Sequence, residues 1–128
     1  MMSDEQTKRI LVLEDDPQTG VLIETCLTEA GYVVHLAEAV PGALHLIDDL
    51  AFDAAVLDYC IGTNTALQVA QSLRVRLIPF VFCTADDDLP VEFEDVPVLG
   101  KPFLPEDMVG VVRSVFGPPR LWRRAVGQ

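Results

Sequence analysis

Glu14, Asp15 and Asp16 stand in a row directly after the apolar run Ile10–Leu13, and Pro17 follows them. Burying one carboxylate is costly, and crowding three raises the cost by mutual repulsion. Helix capping accounts for part of the cluster. Asp16 suits an N-cap and Pro17 a first helical position, with acids favoured there by the helix dipole. Glu14 and Asp15 are left over and need a partner from elsewhere in the chain. Three further apolar runs end on polar groups: "FDAAVLDYC" on Asp58, "PFVFCTA" on Thr84 and "VPVLGKPF" on Lys101. Three carboxylates, one hydroxyl and one ammonium gathered at one edge would suit a hard divalent cation. Mg2+ takes oxygen ligands, keeps several waters and uses one or two carboxylates together with phosphate oxygens. Taken singly, each residue reads as a solvated turn residue. The joint pattern over four strand ends is what points to a site.

The elements that must deliver these groups alternate along the chain. Apolar runs at Ile10–Leu13, Tyr32–Leu36, Ala54–Leu57, Ile78–Cys83 and Val96–Leu99 predict five strands. Between them, Pro17–Ala30 places Leu22, Cys26 and Ala30 on one helical face, with Ile23 and Leu27 beside it, and stops at Gly31. Helical spacing also predicts helices over Val40–Leu50, Thr65–Val75 and Leu104–Phe116. The segment "ADDDLPVEFEDVP" holds Pro90 and Pro97 and few helix formers, so the fourth of five helices should be short or distorted. Alternating strands and helices with continuous apolar strands predict an α/β fold, a doubly wound five-stranded parallel sheet with helices on both faces. Ligands of such sheets bind at the carboxyl ends of the strands.

The bulk properties narrow the function. With 128 residues, half of them apolar, the chain is one ordinary domain. A formal net charge of −11 argues against general nucleic-acid binding. Basic character is local: no acid follows Asp107, while Arg113, Arg120, Arg123 and Arg124 do. No apolar run approaches a membrane span, and Met1–Arg9 lacks the core of a signal peptide. Cys26, Cys60 and Cys83 have no zinc-like spacing and read as reduced cytoplasmic thiols, Cys26 and Cys83 packing as small apolar residues. The expected division is an N-terminal extension over 1–8, a domain over 9–116 and a basic tail over 117–128.

The marks "LVLEDDP", "DAAVLDYCIGTNTAL", "VFCTA" and "GKPF" occur in an order and at separations that resemble the receiver domain of a two-component response regulator, over residues 8–116. The resemblance implies a flavodoxin-like sheet of order 2-1-3-4-5. It implies Asp58 as the phosphoryl acceptor, Asp15 as a direct Mg2+ ligand, Glu14 acting through water and the Cys60 carbonyl as the third protein ligand. Thr84 and Lys101 would contact phosphoryl oxygens, and Lys101–Pro102 falls where the family keeps a cis peptide. The implied protein is a stand-alone phosphoacceptor, cytoplasmic and monomeric or weakly dimeric, with slow autodephosphorylation. Its donor would be a histidine kinase or a histidine phosphotransfer protein; its downstream target is not implied.

This chain departs from the family in three places. Cys60 stands where a polar residue is usual, and its thiol could alter the hydrolysis rate of the acyl phosphate. Val98 stands where the family has an aromatic residue that turns inward on activation. The preceding helix region is shortened, which moves the expected switch to the loop from Ala85 to Pro97. Two other readings compete. A receiver-like interaction module that is not phosphorylated would be marked by loss of Asp58, Asp15 or Lys101, and all are present. An aspartyl phosphohydrolase usually carries a second Asp two residues after the first, where this chain has Cys60.

Overall fold

β1 (Arg9–Leu13) runs parallel to β2 (Val33–Ala37) on one side and to the central strand β3 (Ala54–Leu57) on the other. β3 continues to β6 (Phe80–Thr84), and β6 to β7 (Val98–Gly100), all parallel. Between β3 and β6 in the chain, β4 (Cys60–Ile61) and β5 (Asn64–Thr65) form a separate antiparallel hairpin. The five-stranded order β2-β1-β3-β6-β7 is therefore the expected 2-1-3-4-5. The computed structural model describes residues 7–85 and 88–116. The expected basic tail, most of the N-terminal extension, and Asp86 and Asp87 of the loop lie outside the described residues.

Successive strand residues point to opposite faces, and here both faces are covered, which is why the strands read as unbroken apolar runs. Ile10, Val12, Ala54, Val56, Val81 and Cys83 pack with α1 (Pro17–Glu29) and α4 (Pro105–Ser114). Leu11, Leu13, Ala55, Leu57, Phe80 and Phe82 pack with α2 (Val40–Asp49) and α3 (Leu67–Val75). Asp16 caps α1 through its side chain, which accepts from the Thr19 N–H, and Pro17 opens the helix.

Several boundaries differ from the sequence reading. In α1 the buried stripe is Gly20, Ile23, Cys26 and Leu27, while Leu22 is 44% exposed. Gly20 begins an i, i+3, i+7 stripe with Ile23 and Leu27, but without a side chain it gives no apolar signal. α3 starts two residues late because Asn64 and Thr65 are used in the hairpin. The segment after β6 forms only a 3-10 turn, Val91–Phe93, whose Phe93 is buried beneath α3 in the second core layer. Among the described residues no helix is long and apolar enough to cross a membrane.

Candidate functional site

The carboxyl ends of β1, β3, β6 and β7 bring Glu14, Asp58, Thr84 and Lys101 to one edge, with Asp15 beside Glu14. Glu14, Asp58 and Thr84 are the buried polar side chains among the described residues, while Asp15 stays exposed. Lys101 joins the two buried acids: its Nζ donates to Glu14 Oε1 at 2.7 Å and to Asp58 Oδ2 at 2.9 Å. The second oxygen of Glu14 accepts the Asp16 N–H at 3.1 Å. Asp58 Oδ1 faces the Cys60 N–H at 3.4 Å, and Asp15 Oδ2 accepts the Gly62 N–H at 2.8 Å.

The electrostatics follow from this arrangement. Burial pushes the Glu14 carboxyl above its ordinary range; hydrogen bonds from Lys101 and Asp16 work against that push, and the Asp58 charge adds to it. Burial pulls the Lys101 ammonium down, but hydrogen bonds to Glu14 and Asp58, and their charges, outweigh it and hold it above its ordinary value. When all are ionised, three carboxylates against one ammonium leave a formal −2 at the cluster.

That imbalance suits a divalent cation. One oxygen from each of Glu14, Asp15 and Asp58 can be chosen so that all lie within 4.8 Å of one another. An ion about 2 Å from each ligand sets opposing oxygens roughly 4 Å apart, so the spacing and the all-oxygen donor set both fit Mg2+. Glu14 has both oxygens engaged by protein donors, which matches a carboxylate acting through water better than a direct ligand. An open cavity of about 310 Å3 lies against the cluster, lined by Asp58, Cys60, Thr84, Ala85 and Lys101. It has room for a tetrahedral anion beside the Asp58–Lys101 pair, whose direct 2.9 Å contact leaves no space between the two groups.

The two other cysteines stay out of this chemistry. Cys26 and Cys83 are buried, and desolvation pushes the Cys83 thiol up to about 12, whereas Cys60 is exposed at the cavity wall. The Lys101–Pro102 peptide is cis. One contributor escaped the sequence reading. Gly62 belongs to a tight hairpin and reaches Asp15 through its backbone N–H. The available signal was Gly-Thr between two short pairing segments, the sequence pattern of a two-residue hairpin turn.

The family model of the response regulator receiver domain matches residues 10–113, and this chain belongs to that family. It is similar to the transcriptional activator protein IrlR of Burkholderia pseudomallei, 33% identical over 115 residues, covering 84% of this chain and 49% of the relative. The chain thus spans about half the length of such curated relatives. Among solved structures it is similar to SdrG from Sphingomonas melonis Fr1, with 33% identity, a TM-score of 0.77 and coverage of 87% and 98% of the two chains. The response regulator TrrA from Thermotoga maritima, solved in complex with Mg2+-BeF, is 25% identical with a TM-score of 0.74, covering 84% and 97%.

Proposed function

We propose that this receiver domain accepts a phosphoryl group on Asp58 from a histidine kinase or a histidine phosphotransfer protein and signals through the resulting conformational change. The observation that carries the reading is the pair of short bonds from Lys101 Nζ to Glu14 and Asp58 at the rim of an open cavity. One Asp58 oxygen would attack the phosphorus in line, and the leaving imidazole nitrogen would depart on the far side. Lys101 would move from its carboxylate partners to the transferred group and offset its charge, while the Thr84 hydroxyl would donate to one of its oxygens. Cys60 would sit beside the acyl phosphate, where its thiol bears on the access of hydrolytic water. Asp15, Asp58 and the Cys60 carbonyl would hold Mg2+ directly, with Glu14 behind them. When bound, the ion supplies charge neutralisation at the phosphoryl oxygens.

The Mg2+-BeF complex of TrrA supports this reading by similarity. The net charge of −11 supports a protein partner rather than nucleic acid. Incubation with acetyl phosphate and Mg2+ tests it. The wild-type chain should gain the mass of one phosphoryl group, and Asp58→Asn should gain none. Full, persistent labelling of the Asp58→Asn protein would overturn the assignment.

A further inference from the structure

An exposed carboxylate ordinarily samples several rotamers in water. Asp15 is exposed, yet one of its oxygens is held by a backbone donor 47 positions away, the Gly62 N–H at 2.8 Å. That donor is not on a loose loop. Cys60 pairs with Thr65 and Ile61 with Asn64, and the Ala66 N–H donates to the Tyr59 carbonyl at 2.7 Å to close the base of the hairpin. Ile61, 4% exposed, anchors it in the core. At the tip Gly62 adopts φ 60, and its N–H faces the Asp15 carboxylate just past β1. The hairpin also turns the Cys60 N–H toward Asp58 Oδ1. Two of its amides therefore face two of the three clustered carboxylates.

We propose that Gly62 is a positioning residue for the cation site, its N–H holding the Asp15 carboxylate ready to take a divalent cation. The inference rests on reading the acidic cluster as a Mg2+ site. A carboxylate offers about four lone-pair positions, so one charge-assisted bond to an N–H leaves room for a metal. Outer-shell partners of metal ligands are typically worth about 10- to 100-fold in affinity. Glycine matters at this position for its conformation. A Cβ built on Gly62 would meet no atom within 4 Å, so a side chain there costs backbone strain at φ 60 and no collision. Among residues with a side chain, Asn bears a positive φ at the least cost, whereas a β-branched residue is strongly disfavoured.

Amide spectra recorded during titration with MgCl2 test the proposal. Gly62→Val should weaken Mg2+ binding about tenfold, and Gly62→Asn should weaken it less. In metal-free protein, Asp15→Asn should move the Gly62 amide resonance upfield, because its charged acceptor is gone. That last result needs no Mg2+ and stands even where Gly62→Val folds poorly. Wild-type affinity in folded Gly62→Val, or a Gly62 amide indifferent to Asp15→Asn, would overturn the role of Gly62. Absence of Mg2+ binding by the wild-type protein would instead overturn the cation site itself.

Discussion

Lys101 is the residue on which the charge balance of the site turns. It is 20% exposed and sits against two carboxylates that are almost fully buried. Removing one member of a buried ion pair leaves the other uncompensated, which costs about 3–5 kcal/mol in full burial and less with partial solvent access. Lys101→Ala should therefore lose on the order of 1–3 kcal/mol of stability in EDTA. It should regain part of that in Mg2+, because a bound cation replaces the missing positive charge. Urea denaturation of wild type and variant with and without Mg2+ measures the difference, and an equal response of both proteins would contradict it. Asp58, Thr84 and Lys101 were legible in the sequence because each ends an apolar run, and a parallel sheet gathers strand ends without further information. The Gly62 bond to Asp15 was not, since a backbone donor carries no residue type to read.

At the scale of elements, two helix ends show how far local signals reach. α1 ends with the Tyr32 N–H donating to the Leu27 carbonyl and the Gly31 N–H to the Thr28 carbonyl, with Gly31 at φ 102. α3 ends in the same pattern: Ile78 N–H to the Leu73 carbonyl and Leu77 N–H to the Arg74 carbonyl. Both are Schellman endings. The first was predicted from its glycine; at the second, Leu77 takes φ 60 with its side chain 89% exposed. A left-handed non-glycine residue costs roughly 1–2 kcal/mol, part of which glycine returns as chain entropy. Leu77→Gly should accordingly stabilise the protein by about 0.5–1 kcal/mol in urea denaturation, and a destabilised variant would refute the strain argument. The exposed Leu22 shows the opposite failure. Its apolar side chain reads as core because the stripe that is buried starts at a glycine.

Across the whole molecule, a packed series of rings links the site to the segment that stands in place of a fourth helix. Tyr59 follows Asp58 and meets Phe82 at 5.8 Å; Phe82, on the same strand face as Thr84, meets Phe93 at 5.7 Å. Phe93 is pinned from outside by Arg74, whose guanidinium lies 5.3 Å from the ring and 2.7 Å from Asp95. These outer contacts are individually weak, about 1 kcal/mol or less each, so the turn can be repositioned cheaply around its buried ring. Val98 offers no comparable lever, being short, stiff at χ1 and 49% exposed. Beryllofluoride with Mg2+ should therefore shift the amides of Val91–Asp95 and Arg74 and leave Val98 nearly unchanged. Effects confined to Val98 and α4 would contradict this route.

The signalling role depends on chemistry at one carboxylate, and reductive trapping addresses it directly. Protein phosphorylated in the presence of Mg2+ and then reduced with borohydride converts an aspartyl phosphate to homoserine, which peptide mass mapping locates. The account predicts a single conversion, at Asp58. Homoserine at Asp15, the corresponding alcohol at Glu14, or reduction at no carboxylate in protein shown to carry the phosphoryl group, would contradict it.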